Sequence, residues 1–279
     1  MRLLVTGAAG MLGHDVVAAA ERAGHDVVAL TRGDLDITDA GSVRAAVADA
    51  APDSILNCAA WTDVDGAESA EDAATEVNGR GTGHLAEAAA SAGAHLVHVS
   101  TDYVFDGTAS EPYVESSPVG PATAYGRSKL DGERRIDPRH AAVVRAAWLF
   151  GANGPNFAAT MRRLAAERDE VTVVDDQFGT PTYTGHLAEA LVGLAERRTT
   201  GILHAHGPES TSWFEFARAI FAATGADCAV VPGRTADLRR PAPRPLYSVL
   251  GSERSDSPRL PSWREGLAAY LEETKVTET

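Results

Sequence analysis

Cysteine and basic residues are scarce in this sequence of 279 residues. The two cysteines, Cys58 and Cys228, are too few for a disulfide framework. Cys58 lies in the apolar run 55–60, a setting that favours a structural thiol over a reactive one. Lysine and arginine number 25 against 39 acidic residues, and the formal charge of −14 argues against nucleic acid or an anionic membrane as the main partner.

Long apolar runs are lacking as well. No run reaches the roughly 20 residues that a bilayer-spanning helix needs, and a strand pattern starts at Leu3 with no signal peptide before it. We therefore expect a cytoplasmic protein with no membrane segment. At 44% hydrophobic and 23% charged residues, the composition is that of an ordinary globular protein, and the length suits one large α/β domain with a smaller lobe.

Short apolar runs alternate with helical patterns through the first half of the chain. This alternation predicts a Rossmann-like, doubly wound α/β fold, with a parallel sheet covered by helices on both faces. Gly24 and Gly93 follow two of the helices, where a left-handed cap is expected. The predicted strands are 3–6, 26–30, 54–57, 95–100 and 141–146, and the predicted helices are 11–23, 39–51 and 68–92.

The pattern loosens after residue 147. We predict a dinucleotide-binding domain over residues 1–147, with return segments within 165–206, and a mainly substrate-binding C-terminal lobe over residues 148–279. The segment 232–261 is rich in proline, arginine and serine and predicts an irregular loop region. Further helices are predicted over 156–168, 186–197, 213–224 and 262–273, and further strands over 171–174 and 202–205.

A glycine-rich turn links the first predicted strand to the first predicted helix. Gly7 permits the tight turn, Gly10 lets the backbone approach a pyrophosphate, and Gly13 lets helix and strand pack closely. The N–H groups of the helix start, including those of Met11 and Leu12, would face the anion. This context predicts a bound dinucleotide, and the alternative is a turn whose glycines serve packing alone.

The end of the second predicted strand bears on the choice of cofactor. No acidic residue stands at this strand end, and Arg32 could pair with a 2′-phosphate, which favours NADPH over NADH. A solvated surface arginine is the alternative, and NADH could still be accepted. Asp34 or Asp36 could hydrogen-bond the adenosine. Ile37 is also predicted to bind the cofactor.

A tyrosine and a lysine one helical turn apart are the strongest catalytic candidates. Tyr125 and Lys129 would share a helix face, where a lysine ammonium, with a nicotinamide cation in the oxidised complex, favours the phenolate and lowers the tyrosine pKa. Tyr125 could then donate a proton to a carbonyl oxygen during reduction. Thr101 ends a predicted strand at the carboxyl edge of the sheet and could hydrogen-bond the same oxygen, with Ser100 as its competitor.

Motifs in the expected order along nearly the whole chain carry a family resemblance. The chain resembles the extended short-chain dehydrogenases/reductases, and within them the dTDP-4-dehydrorhamnose reductases. The matching stretches are NCAAWTDVD (57–65), STDYVFDG (100–107), YGRSK (125–129), RAAW (145–148), NF (156–157), DQFGTPT (176–182) and RPLYSVL (244–250).

This resemblance implies reduction by NAD(P)H of the 4-keto group of dTDP-4-dehydro-6-deoxy-L-mannose to dTDP-L-rhamnose. It implies that Thr101 bonds the keto oxygen, that Tyr125 donates the proton, and that Lys129 tunes Tyr125 and holds the nicotinamide ribose. Arg244, in a cluster with Arg239 and Arg240, could pair with the nucleotide diphosphate of the dTDP-sugar. The residues implied to line the cofactor are Ala59, Ala60 and Thr62, and those implied to line the sugar are Val64, Asp102, Tyr103 and Trp148.

Two departures limit what the resemblance implies. Some members of the family form dimers bridged by Mg²⁺, but after residue 182 no carboxylate follows here until Glu189, so Mg²⁺ and the choice between monomer and homodimer stay open. Trp61 stands where tyrosine or histidine is more usual. His204 and His206 share a strand face, but without an evident third ligand they predict no metal site.

Four other functions compete with this one. A 4,6-dehydratase would carry Asp-Glu after the strand-end threonine, whereas here Asp102 is followed by Tyr103. A 4-epimerase would retain NAD⁺ tightly. A 4-ketoreductase for another dTDP-deoxysugar, and a non-catalytic NADP-binding regulatory subunit of the methionine adenosyltransferase type, remain as alternatives.

Overall fold

The computed structural model describes residues 1–277 of the chain, with side chains through residue 275. Its strands are β1 (Arg2–Thr6), β2 (Asp26–Leu30), β3 (Ser54–Asn57), β4 (His95–Thr101), β5 (Ala141–Ala146), β6 (Leu149–Phe150), β7 (Glu170–Val174), β8 (Phe178–Gly179), β9 (Thr182–Tyr183), β10 (Gly201–His204), β11 (Thr211–Ser212) and β12 (Ala229–Gly233). Its α-helices are α1 (Met11–Arg22), α2 (Ala40–Ala50), α3 (Val64–Ala67), α4 (Glu71–Thr75), α5 (Thr82–Ala92), α6 (Ala124–Arg134), α7 (Phe157–Glu167), α8 (Thr184–Arg197), α9 (Trp213–Thr224) and α10 (Trp263–Thr277).

Six parallel strands form the main sheet, in the order β2–β1–β3–β4–β5–β10. The predicted doubly wound parallel sheet is therefore confirmed. The strand order reverses between β1 and β3, and the crevice outside the carboxyl ends of two such strands is where open α/β sheets bind ligands.

Both faces of this sheet are buried, which explains why its strands are mostly apolar. Leu3 and Val5 of β1 face a core that contains residues of α1 and α8. Leu4 points to the opposite face, into a core that contains residues of α2 and α5. All three side chains are fully buried. Across the described part of the chain, no helix combines the length and the apolarity needed to cross a membrane.

A third core lies in the C-terminal half and contains residues of α7, α9 and α10. Strand β7 pairs in parallel with β12, which the sequence analysis treated as part of an irregular region from residue 232 onward. That expectation is wrong for Pro232 and Gly233, because β12 has this one partner and proline is tolerated at such an edge. Of the segments within 165–206 that were predicted to return to the main sheet, α8 and β10 do so, whereas β7 lies in the C-terminal lobe. The bounds of the two domains stay a prediction.

The single helix predicted over 68–92 is wrong at its start and is interrupted before residue 82. Helix α4 begins only at Glu71, and a π-helical turn over Glu76–Gly81 separates it from α5. The turn contains the buried Asn78, whose side chain bonds both backbone groups of Trp61, accepting from its N–H (2.8 Å) and donating to its carbonyl (3.0 Å). An insertion of this kind is common at functional sites, and here it fixes the chain after β3.

Candidate active site

A cleft of about 1590 Å³ lies at the carboxyl edge of the main sheet, between the sheet and the C-terminal lobe. The residues predicted to bind the cofactor, bind the sugar or take part in catalysis line this cleft, except Asp34 and Arg239, which were named beside Asp36 and Arg244. These residues are Gly7, Gly10, Met11, Leu12, Gly13, Arg32, Asp36, Ile37, Ala59, Ala60, Thr62, Val64, Thr101, Asp102, Tyr103, Tyr125, Lys129, Trp148 and Arg244. Their roles remain proposals, but the fold brings them together.

The glycine-rich turn forms the floor of the cleft at the strand-order reversal. Gly7 has a φ of +69°, and a Cβ atom there would lie 2.6 Å from the backbone nitrogen of Ala59. A Cβ atom at Gly13 would collide with the carbonyl oxygen of Gly7. Helix α1 starts at this turn with Gly10 as its N-cap, so no side chain covers the helix N–H groups. The turn can therefore receive a pyrophosphate at the backbone, as dinucleotide-binding turns do.

The segment after β2 lines the part of the cleft where the sequence analysis placed the adenosine. Asp34 accepts hydrogen bonds from the backbone N–H and hydroxyl of Thr31, and Asp36 accepts from the same groups of Thr38. These bonds lower the pKa of both carboxyls. Asp36 and Arg32 line the cleft. An arginine at this position suits a 2′-phosphate, while Asp36 keeps acceptor capacity for a ribose hydroxyl.

Thr101, Asp102 and Tyr125 lie together beside the cleft. The Thr101 hydroxyl donates to Asp102 Oδ1 (2.9 Å). Burial raises the pKa of Asp102 to about 6. The ring of Tyr103 meets Tyr125 edge-on, with centroids 5.6 Å apart.

The pKa of Tyr125 is raised, which is opposite to the sequence expectation. Burial is the main cause and the Asp102 carboxylate adds to it, while the bond to Thr101 opposes the shift. The ammonium of Lys129 does not determine the pKa of Tyr125, because its Nζ donates to the backbone carbonyl of Val99 behind the site. A phenol with a raised pKa is fully protonated at neutral pH, which is the form that a proton donor requires.

Lys129 is buried behind Tyr125 and belongs to a second polar chain. Its Nζ donates to the carbonyl of Val99 (2.7 Å) and lies 3.4 Å from His98 Nε2. Burial lowers the pKa of Lys129 to about 8, and the Glu133 carboxylate partly opposes this. Burial also lowers the pKa of His98 well below its usual value, so the imidazole is neutral.

The position of the His98 proton follows from its neighbour Asn57. Asn57 Oδ1 accepts from the Thr6 hydroxyl (2.8 Å) and from the Ala59 N–H (3.1 Å), so Nδ2 is the atom that faces His98 Nδ1 (3.0 Å). His98 Nδ1 is then an acceptor, and the neutral ring carries its proton on Nε2. That N–H points at Lys129 Nζ and further disfavours the ammonium form.

Ser100, the alternative to Thr101, is bound elsewhere. Its hydroxyl donates to Glu133, which forms a buried ion pair with Arg145 (2.7 Å). Arg145 also lies over the ring of Phe105, 5.0 Å from its centroid. These contacts tie Ser100 into a structural network, so Thr101 is the better partner for a keto oxygen. Burial also raises the pKa of Cys58 to about 12, which agrees with a structural thiol.

The lobe side of the cleft is aromatic. Trp148 has a positive φ of 51° and stacks on Trp213, with ring centroids 3.5 Å apart and planes 4° apart. A Cβ atom at Gly179 would lie 2.5 Å from Trp148 Nε1, so only glycine leaves room for this indole. Phe157 packs on Trp213 from another direction, with centroids 4.4 Å apart. This wall can face a sugar or a base.

The two histidines considered as a metal pair are used otherwise. His204 Nδ1 lies 2.8 Å from the carbonyl of Gly251, and burial lowers the pKa of His204 to about 4. His206 Nδ1 lies 2.8 Å from the carbonyl of Gly207. Within residues 1–275, no group of three or more histidine, cysteine or acidic side chains is arranged to hold a metal ion.

Comparison with known proteins decides the family. A family model described as the RmlD substrate binding domain matches residues 1–276. A dTDP-4-dehydrorhamnose reductase from Streptomyces griseus is 48% identical, over 97% of this chain and 92% of its own length. The chain belongs to the dTDP-4-dehydrorhamnose reductase (RmlD) family.

Other relatives support the same fold and class of substrate. A dTDP-4-keto-6-deoxy-D-glucose reductase from Streptomyces niveus is 45% identical, over 95% of this chain and 90% of its own length. The crystal structure of a Bacillus anthracis dTDP-4-dehydrorhamnose reductase in complex with NADP has a TM-score of 0.94 and 37% identity, with 98% of this chain and 99% of that one covered.

Two residues of the site in this RmlD-family protein were not found from sequence. Asn78 supports the cleft from behind by holding Trp61, and it also donates to the Ser128 hydroxyl on α6 (2.9 Å). Trp213 extends the aromatic wall, although the sequence analysis treated it only as the start of a helix. Local periodicity could not reveal either contact, since both join segments at least 17 residues apart. The interruption of the 68–92 pattern by Asn78-Gly79 was the one available signal.

Proposed function

We propose that this protein reduces the 4-keto group of dTDP-4-dehydro-6-deoxy-L-mannose to give dTDP-L-rhamnose, with NADPH as the preferred cofactor. The observation that carries the proposal is the position of Thr101, Tyr125 and Lys129 in one cleft with the glycine turn, in a chain 48% identical to a dTDP-4-dehydrorhamnose reductase. The protein is an oxidoreductase of the cytoplasm in this proposal, either a monomer or a homodimer.

The residues for the cofactor fit NADPH. Gly7, Gly10 and Gly13 leave the backbone open for the pyrophosphate, and Arg32 supplies a cation at the adenosine end. Lys129 would hold the nicotinamide ribose from its buried position. NADPH, when bound, supplies the hydride for the carbonyl carbon. A relative that binds NADP, from Bacillus anthracis, supports this choice.

Side chains of this protein protonate and hydrogen-bond the keto oxygen of the substrate. Tyr125, fully protonated at neutral pH, donates its proton to the keto oxygen as charge develops there. Thr101 provides a second hydrogen-bonding group at the same oxygen. Because Tyr103 follows Asp102, the site has a phenol where a 4,6-dehydratase would be expected to have its glutamate, and this favours a simple reduction over loss of water.

A 4-ketoreductase for another dTDP-deoxysugar is the second candidate. The Streptomyces niveus relative, a dTDP-4-keto-6-deoxy-D-glucose reductase, is 45% identical and thus nearly as similar as the first. The two candidates differ in the configuration of the sugar rather than in chemistry. The residues that would select it are those implied to line the sugar, Val64, Tyr103 and Trp148.

Product analysis separates the candidates. The purified protein is incubated with NADPH and dTDP-4-keto-6-deoxyglucose, with and without a 3,5-epimerase, and the product is analysed by NMR. Our proposal predicts dTDP-L-rhamnose only when the epimerase is present. Reduction of the unepimerised sugar at the same rate would instead support the second candidate, and no NADPH oxidation in either mixture would refute both.

A further inference from the structure

Asp65 joins the two sides of the cleft. It lies on α3, directly after β3 of the main sheet, and its carboxylate binds three groups of the segment 240–244. Oδ2 is 2.7 Å from Arg244 Nη2 and 3.5 Å from Arg240 Nη1, and Oδ1 accepts from the Ala242 N–H (3.2 Å). Arg240 and Arg244 both line the cleft, whereas Arg239 is exposed outside its lining.

The Asp65–Arg244 pair is partly shielded from water. The Arg244 side chain is 15% exposed and that of Asp65 is 29% exposed. Burial alone would raise the pKa of Asp65, but the Ala242 N–H and the Arg244 guanidinium outweigh it and the pKa is lowered. The pair is therefore ionised at neutral pH, and its geometry is that of a charge-assisted hydrogen bond.

Asp65 leaves most of the Arg244 guanidinium available. The group has five N–H donors in a rigid plane. One goes to Asp65 and another, on Nη1, goes to the carbonyl of Ala242 (3.0 Å). Two bonds at two different nitrogens fix the plane of the guanidinium, and the remaining donors can serve a ligand in the cleft.

We propose that Asp65 is a positioning residue for the nucleotide-sugar diphosphate: it orients Arg244 and fixes segment 240–244 at the cleft before the substrate arrives. This inference rests on the proposed function, because it takes a nucleoside diphosphate sugar as the ligand. A carboxylate beside a diphosphate weakens binding by charge repulsion, so Asp65 is favourable only if the ordering of the guanidinium outweighs that repulsion.

The role of Asp65 can be tested by comparing dTDP with dTMP, which lacks the second phosphate. Binding of dTDP and of dTMP is measured by calorimetry for the wild type and for Asp65→Asn, which keeps the shape but presents an amide to Arg244. We expect the Kd of dTDP to rise roughly tenfold and that of dTMP less than twofold. Asp65→Glu should recover part of the affinity. Asp72→Asn, which removes the same charge from the exposed face of α4, should leave both constants unchanged.

Two further measurements exclude a general effect on the fold. The Kd of NADPH should be the same in the wild type and Asp65→Asn. In an Arg244→Gln background, Asp65→Asn should weaken dTDP binding by a smaller factor than it does in the wild type, because only the contacts to Arg240 and Ala242 are then left to lose. Equal weakening of dTDP and dTMP, or unchanged dTDP binding, would refute the role of Asp65 while leaving the proposed function intact. If the wild type does not bind dTDP at all, the proposed function itself is wrong.

Discussion

Replacing Lys129 by methionine should abolish turnover and yet stabilise the protein at neutral pH. Lys129 is 2% exposed. Among the described residues no carboxylate oxygen lies within 4 Å of its Nζ, which contacts the Val99 carbonyl and the His98 ring instead. The ammonium is therefore buried without an ion-pair partner, which is costly for the folded state. Methionine has a similar length and no charge.

The size of the effect follows from the pKa. A pKa lowered from 10.5 to about 8 corresponds to about 3 kcal/mol by which the buried ammonium destabilises the fold at neutral pH. Methionine removes the destabilisation by the buried ammonium. It also leaves the Val99 carbonyl without its donor, which costs about 1 kcal/mol. The net gain for Lys129→Met is about 2 kcal/mol at pH 7, or about 5 °C in Tm for a chain of this size.

The pH dependence of unfolding tests the sign of this stability difference a second time. Since the folded-state pKa lies below the unfolded one, the unfolded chain binds more protons between pH 8 and 10.5, and wild-type stability rises relative to the variant across that window. About 2 kcal/mol of the penalty should be relieved between pH 7 and pH 9.5. The two proteins should then unfold at nearly the same denaturant concentration at pH 9.5.

The assay needs denaturant unfolding of both proteins at pH 7 and 9.5, without added cofactor. Because Lys129 and Lys275 are the only lysines, ¹³C-lysine NMR yields two ε-carbon signals, and the variant assigns them. The Lys129 signal should titrate near pH 8. A variant less stable than the wild type at pH 7, together with a Lys129 pKa above 10, would show that the ammonium is not disfavoured by burial.

The remaining predictions concern activity and cofactor binding. Tyr125→Phe should lower kcat by roughly three orders of magnitude, because the proton donor is lost, while the Kd of NADPH stays within twofold; unchanged turnover would remove Tyr125 from its role. Arg32→Ala should raise KM for NADPH more than for NADH, and equal changes would contradict the pairing with a 2′-phosphate. Gly13→Ala should weaken NADPH by at least roughly tenfold, because its Cβ displaces the Gly7 carbonyl; wild-type affinity would show that the turn can relax.

Much of the fold could be predicted because it rests on local patterns. The strands of the main sheet are mostly apolar. Helices such as α9 carry their own start signal, since Ser212 accepts from the Glu215 N–H (3.1 Å) as its N-cap. These features depend on neighbouring residues and are readable from sequence. Thr101 could be placed for a similar reason, because parallel strands bring their carboxyl ends to one edge. Tyr125 and Lys129 could be placed together because they are one helical turn apart.

What could not be predicted depends on contacts between distant segments. The π-helical turn contains Asn78, which bonds Trp61 and Ser128, and helical periodicity does not reveal these contacts. Strand β12 depends on pairing with β7, about 60 residues earlier in the chain. The burial of the Tyr125 phenol, which raises its pKa, was not predicted, because the spacing of tyrosine and lysine does not reveal it.

The hydrogen bond between Thr101 and Asp102 lies beside Tyr125 and affects what Thr101 can do in the site. The Thr101 hydroxyl has one proton, and Asp102 Oδ1 accepts it in this structure. Thr101 can therefore donate to a keto oxygen only after that bond is given up. Protonation of Asp102, whose pKa burial raises to about 6, would reverse the bond and release the Thr101 proton toward the cleft. In the proposed mechanism, the hydrogen bond from Thr101 to the substrate oxygen would therefore depend on the protonation state of Asp102.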